Sequence, residues 1–244
     1  MHVWRARLPS GRDGELTANL LDAEERERAA RFVFAVDRDL FRFSHILLRT
    51  LLGAYTGERA EALRLSRTSR GKPFLPDHPA IAFSLSHSAE VVLVAVGRER
   101  ALGVDVERVR DDFATAELAT RFFSADETEA LAKVPPESRA SAFFACWTRK
   151  EAYVKARGEG LSIPLSSFSV TLAPGDEAAL LRTAEPDDAG RWSLRALDVG
   201  PEYAAAAACS PPASEFRLFE WPGDAPSASG SPFDAIHDLA RDRE

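Results

Sequence analysis

The chain has 244 residues, 45% of them hydrophobic, and a formal net charge of −7. That is apolar content enough for a substantial core in one domain or two small ones, while an acidic balance argues against a general nucleic-acid binder, which carries a basic excess. No run approaches the ~18 apolar residues of a membrane span and the opening MHVWRARLPSGRDGE holds no apolar signal core, so the expectation is a soluble cytoplasmic protein with no membrane partner.

In chain order, the alternation over residues 3–8 predicts a strand, and LDAEERERAARFV from Leu21 a helix with a charged face. VDRDLFRFSHILLRTLLGAYTG from Val36 spaces Phe43, Ile46, Leu47 and Leu51 for one buried helical face, with Gly53 or Gly57 as its end. RLSRTSRGKPFLP follows, broken by Gly71 and Pro73. AIAFSLSHSAEVVLVAVG from Ala80 reads as a short strand, a polar turn at Ser86 to Ala89 and an apolar strand, and LGVDVERV from Leu102 as a further strand. The second half repeats this grammar. Helix-like DFATAELATRFFSADETEAL leads to the helix of WTRKEAYVKARGEGL. RGEGLSIPL is again basic and broken, and RWSLRALDVGPEYAAAAACS is again strand, turn, strand. The run AAAAAC is assigned to strand because it occupies the place of VVLVAV. Cys146 and Cys209, the only cysteines, lie in apolar runs and read as reduced, buried thiols.

The expected fold class is therefore α+β: a pseudo-twofold arrangement of two similar halves, each with a long helix packed on a small, mainly antiparallel sheet. Residues 1–102 form the first half, 103–222 the second, and 223–244 a linker-like tail. The pseudo-symmetry lets a monomer build a cleft between its own halves.

Two groups of side chains carry chemistry. In GVDVER, Asp105 and Glu107 are two apart, which on a strand puts both carboxylates on one face and Val104 and Val106 on the other. Such a pair repels unless a cation lies between, and its hard oxygens suit Mg²⁺, with Mn²⁺ as an alternative. On the following helix Trp147, Glu151 and Lys155 are four apart and share a face. Glu151 there is a third metal oxygen or a base, and Lys155 meets a phosphate. The plainer reading is a surface ion pair worth about 0.3–0.5 kcal/mol. Arg149 and Lys150 point elsewhere around the helix, as solvated charge or partner contacts.

Ser86 and His87 are possible donors to phosphate oxygens. They do not form the strand–turn–helix elbow of a GxSxG hydrolase. No HExxH or CxxC spacing indicates zinc, and no GxGxxG or GxxxxGK[ST] indicates a dinucleotide fold or P-loop. Arg28, Arg31, Arg42, Arg49 and Lys72 supply the first half with cations for a phosphate-binding rim. Cations on one side and carboxylates with Mg²⁺ on the other suit a ligand with several phosphates.

GKPFLP, FSLSHS, GVDVER and WTRKEAYVKARGEGL occur in that order, and with them the chain resembles the 4'-phosphopantetheinyl transferases, of the larger, two-halved type that activates carrier domains of peptide and polyketide synthases. The similarity spans about Arg28 to Pro211. It implies coenzyme A in the cleft and transfer of its 4'-phosphopantetheine group to a serine of an apo acyl or peptidyl carrier domain, with release of 3',5'-ADP. By the same resemblance Asp105, Glu107 and Glu151 hold the metal, and Lys155 lies near the reacting phosphates. Arg28, Arg31, Arg42, Lys72, Ser86 and His87 contact the nucleotide or its 3'-phosphate. Adenine stacking is expected near Phe74, and a carrier-docking patch with basic edges near residues 113–123 and 149–161. Ala152 stands where one branch of the family has serine. The alternatives are a coenzyme A- or carrier-binding module without transfer activity and a magnesium-dependent phosphoesterase.

Overall fold

In the computed structural model, residues 1–9, 20–185, 188–212 and 215–221 are described; the tail over 223–244 lies outside them. The elements are β1 (His2–Arg7), α1 (Ala23–Ala30), α2 (Ala35–Thr56), β2 (Ser66–Arg67), β3 (Pro73–Phe74), β4 (Ile81–Ser88), β5 (Val91–Arg98), β6 (Ala101–Arg108), α3 (Ala116–Phe122), α4 (Ala125–Lys133), α5 (Pro136–Arg157), β7 (Ser169–Val170), β8 (Leu180–Arg182), β9 (Ser193–Ala196), β10 (Tyr203–Ser210) and β11 (Arg217–Glu220).

Two sheets, ordered β11-β1-β5-β4 and β6-β10-β9, lie between two long helices. The alternation of each strand decides the layers. On β5, Val92, Val94 and Val96 join Leu40, Leu47 and Leu51 of α2 in one core. Val91, Leu93 and Ala95, on the other face, meet Val104, Val106, Ala205 and Ala207 of the second sheet in another. Ala206 and Ala208 of β10 turn outward to Phe143, Cys146 and Ala152 of α5 in a third. The order is thus helix, sheet, sheet, helix, the expected α+β pseudo-twofold. Each long helix has 22 residues and ends on a left-handed glycine, Gly57 (φ 79°) and Gly158 (φ 71°). The alanine run is a strand because β6 and β9 pair with it on both sides, and its small side chains let α5 lie close. Closest is Gly103, where a Cβ would collide with the carbonyl oxygen of Ala152 and the amide of Ala156.

Two features tie the halves of the chain together. β11 returns from the end of the described chain to pair in parallel with β1 (His2↔Arg217, Trp4↔Phe219). At the other side, β4 and β6 are edge strands running in the same direction. They share no backbone ladder. Serine hydroxyls bridge them instead: Val104 N–H donates to Ser84 Oγ at 3.2 Å, Val106 N–H to Ser86 Oγ at 3.4 Å and Arg108 N–H to Ser88 Oγ at 3.0 Å. Every second residue of β4 therefore satisfies an edge amide of β6.

Several expectations are corrected. Ser86 and His87 lie within β4, and the tight turn comes later, at Ala89 with φ 50°. The helix over DFATAELATRFFSADETEAL is two, because Ser124 caps α4 in a capping box with Glu127. Arg49 is fully buried. Its Nε donates to Glu25 Oε2 at 2.6 Å, its other nitrogens to Asp22 and to the carbonyls of Ala60 and Leu63, so it joins α1 to α2 and is no part of a phosphate rim. Arg149 and Lys150 are buried too. Arg149 donates to Thr171, while Lys150 Nζ pairs with Glu127 Oε2 at 2.7 Å and donates to the Phe168 carbonyl at 2.6 Å. Neither is available to a partner, because the far side of α5 is core. Both cysteines are free and buried, as expected.

Candidate active site

The seam between β4 and β6 opens into a cleft of about 1110 Å³. Strand alternation turns Val104 and Val106 into the intersheet core and so presents Gly103, Asp105 and Glu107 toward α5. From α5, the i, i+4 row of Trp147, Glu151 and Lys155 lines the same cleft. The strand pair and the helical row meet because α5 rests on the bare backbone of Gly103, one residue pair below the carboxylates.

Lys155 and Ser86 tie the walls together. Lys155 Nζ lies 2.7 Å from Asp105 Oδ1 and donates to Ser86 Oγ at 2.9 Å; the Ser86 hydroxyl donates to the same Asp105 oxygen at 2.8 Å. Asp105 Oδ2 is buried with no hydrogen-bond partner. Ser88 Oγ donates to Glu107 Oε2 at 2.8 Å. Glu151 has no hydrogen-bond partner among the described residues, and burial, then the negative charge of Asp105, pushes its pKa above the usual carboxylate value. Burial likewise raises that of Glu107, against the hydrogen bond from Ser88 and with the repulsion of Asp105. The three acids share one cleft. They do not close on a point: among the described residues, no three His, Cys, Asp or Glu side chains form a metal-holding group. Their chemistry nonetheless suits a hard cation, since a buried carboxylate oxygen without a partner is costly and two neighbours hold their protons more tightly than usual.

The opposite wall, from the first half of the chain, is mixed in charge, for Asp22, Glu24 and Glu25 lie along it. Arg28 and His87 line it, with Arg28 also stacked over the Phe41 ring at 5.2 Å. Desolvation, then the positive fields of Lys155, His45 and Arg28, holds the pKa of His87 below the usual histidine value. Arg31 and Arg42 are not among the lining residues. Arg31 pairs with Glu27 at 2.6 Å and Arg42 with Asp39 at 4.0 Å. Lys72 lines the cleft, yet its Nζ donates to the carbonyls of Leu102, Lys155 and Ala156 at 3.0, 2.7 and 3.0 Å, which occupies all three of its N–H groups. The aromatic lining consists of Phe41, Phe83 and Trp147 and does not include Phe74.

Two arginines and a histidine of the lining are not marked as site residues by the sequence, nor are the acids Asp22, Glu24 and Glu25. Arg67 and Arg70 both precede the GKP break, and their closeness to Gly71 was the available signal. His45 also lines the cleft, with Nδ1 2.8 Å from Glu25 Oε1. Nothing local marks it, because Glu25 reaches it from α1, twenty residues earlier.

Comparison with known proteins covers both walls. Residues 4–99 match the family model described as "4'-phosphopantetheinyl transferase, N-terminal", and residues 101–208 that of the 4'-phosphopantetheinyl transferase superfamily. The chain is 38% identical over 202 residues to 4'-phosphopantetheinyl transferase HetI of Nostoc sp., covering 81% of this chain and 82% of that one. It is 28% identical over 210 residues to 4'-phosphopantetheinyl transferase Sfp of Bacillus subtilis, covering 86% and 91%. Among solved structures, the ACPS–CoA complex of Chronobacterium ammoniagenes aligns with a TM-score of 0.35 and 19% identity, over 46% of this chain and 96% of that chain.

Proposed function

The chain belongs to the 4'-phosphopantetheinyl transferase family, and on that footing we propose that its cleft is where coenzyme A meets an apo acyl or peptidyl carrier domain. The enzyme moves the 4'-phosphopantetheine group from coenzyme A to a serine hydroxyl of the carrier. The serine oxygen bonds to the β-phosphorus, the bond from that phosphorus to the bridging oxygen breaks, and 3',5'-ADP departs with the electron pair.

The observation that carries this reading is the meeting, in one cleft, of Asp105, Glu107, Glu151 and Lys155 with Arg28 and His87. Arg28 and His87, with Arg67 and Arg70 beside them, suit the nucleotide and its 3'-phosphate. Lys155, held over Asp105, stabilises the charge gathering on the departing phosphate. Glu151, unpaired and with a raised pKa, takes the serine proton directly or through a water. Ser86 keeps Asp105 and Lys155 in register. Asp105, through its free Oδ2, with Glu107 and Glu151, supplies the oxygens for Mg²⁺, or Mn²⁺ in its place. When bound, that ion offsets the negative charge of the pyrophosphate.

The carrier approaches, in this reading, over α3. Phe113 and Phe122 pack edge-on against Trp147, whose ring reaches the cleft, and Arg110 and Arg121 stack on those two phenylalanines. The sequence places the carrier near residues 113–123 and 149–161, and of the second stretch Arg149 and Lys150 are buried and take no part. Residues 1–102, with β11 at the edge of their sheet, form the nucleotide wall and the rest of 103–222 the metal wall, so one chain supplies a whole site and a monomer suffices. A cytoplasmic setting belongs to the same reading and accords with two free thiols. No helix among the described residues is long and apolar enough to cross a membrane.

The test is mass spectrometry of an apo carrier mixed with the protein, coenzyme A and Mg²⁺. One phosphopantetheine adduct per carrier is expected, lost when the acceptor serine is replaced by alanine. Release of phosphate or of pantetheine phosphate without any adduct would instead identify a phosphoesterase, and binding without turnover a module that only holds its ligands.

A further inference from the structure

Lys72 was expected to reach the nucleotide. Its surroundings assign it elsewhere. The ammonium spans three carbonyls from two elements: Leu102 at the start of β6 (3.0 Å), and Lys155 (2.7 Å) and Ala156 (3.0 Å) in the last turn of α5. Carbonyls of a final helical turn have no partner within the helix, and the helix dipole is negative there, so a cation is favoured at that place. Lys72 comes from a third element, the tight loop between β2 and β3. That loop is itself held, with Thr68 N–H donating to the Lys72 carbonyl at 2.9 Å and Lys72 N–H to Thr68 Oγ1 at 3.1 Å. The stem of Lys72 runs against Gly158, where a Cβ would come within 2.9 Å of Lys72 Cδ. Burial lowers its pKa from 10.5 to about 8, as for an ammonium withdrawn from water.

We infer that Lys72 is a positioning residue: it pins the end of α5 to the start of β6 and thereby sets Lys155 over Asp105. The residues on either end of the clamp explain why. Leu102 lies three positions before Asp105, and the carbonyl of Lys155 belongs to the residue whose side chain makes the 2.7 Å contact to Asp105. Releasing the clamp frees the last turn of α5, and Lys155 moves with it. This inference rests on the transferase reading for its consequence in rate, while the clamp itself is independent of that reading.

The test compares wild type, Lys72→Met, Lys155→Ala and the double variant. Four readouts are used: kcat and KM for transfer, calorimetric affinity for coenzyme A, and hydrogen exchange of amides 154–158. Displacing a reacting group by about 1 Å costs on the order of 10²-fold in rate, so Lys72→Met is expected to lower kcat by about 10- to 100-fold. Coenzyme A affinity stays within about twofold, and exchange quickens in the last turn of α5. The double variant is no slower than Lys155→Ala alone, since both changes act through one group. A loss of coenzyme A affinity of about 10-fold with kcat unchanged would make Lys72 a phosphate ligand and overturn the inference. So would losses that multiply in the double variant, which is the mark of a general structural effect. Gly158→Ala presses on the clamp from its other side and is expected to reproduce the kcat loss if Lys72→Met does not fold. Should wild type transfer nothing, the transferase reading fails, and unchanged exchange at 154–158 in Lys72→Met still decides against the clamp.

Discussion

Lys155 Nζ and Asp105 Oδ1 lie 2.7 Å apart, the one on the last turn of α5 and the other at the middle of β6. This contact joins a carboxylate suited to a cation with a cation suited to a phosphate. Lys155→Ala removes the positive charge from the departing phosphate, and a loss of kcat of about 10²–10³-fold is expected, as for removal of one donor to a developing anion. Steady-state transfer to an apo carrier measures it.

Glu151→Gln is expected to lower turnover sharply and to stabilise the fold at neutral pH. The raised pKa of Glu151 means that the folded protein holds this proton more tightly than the unfolded chain. Stability from this group is therefore present below the unfolded pKa and is lost as pH rises through the folded one. At pH 7 the ionised carboxylate costs stability that glutamine does not. Thermal unfolding should show a higher Tm for the variant at pH 7, with the difference vanishing near pH 4.

Gly103→Ala places a Cβ against the backbone of Ala152 and Ala156, which no side-chain rotation relieves. Overpacking of this kind costs about 1–3 kcal/mol, readable as a lower midpoint in urea. Transfer should fall further than the unfolded fraction accounts for, because α5 can make room only by lifting Glu151 and Lys155 away from Asp105.

Arg28→Ala is expected to raise KM for coenzyme A by about 10-fold, the loss of one charge-assisted contact. Arg31→Ala, whose partner is Glu27 on the surface, is expected to change it by less than about twofold. Equal effects would place the 3'-phosphate elsewhere on α1.

Arg121→Ala, at the edge of the aromatic face of α3, is expected to raise KM for the carrier while coenzyme A affinity holds, with a difference that shrinks in high salt. A parallel fall in coenzyme A affinity would remove α3 from the docking surface.

What was legible in the sequence follows from the range of each interaction. The pair Asp105 and Glu107 and the row Trp147, Glu151 and Lys155 obey periods of two and of nearly four, which the backbone imposes locally. Their faces could thus be read without knowing the packing. The partners of charged residues could not. Arg49, Arg149, Lys150 and Lys72 look like solvated or ligand-binding cations in a linear reading, yet each meets carbonyls or acids brought by distant elements: Ala60 and Asp22, Thr171, Glu127, and the end of α5. His45 was missed for the same reason. The turn in FSLSHSAE was placed too early because serines are common in turns; here three of them were needed along a strand to meet the amides of β6.

The parallel pairing of β11 with β1 bears on how the molecule is made. During synthesis β1 can find β5 once residue 98 has emerged, but its other border waits until residues 217–220 are translated. The nucleotide wall is therefore not finished before the metal wall has been threaded through. The first sheet has no ribosomal stage at which it is complete without the second half of the chain.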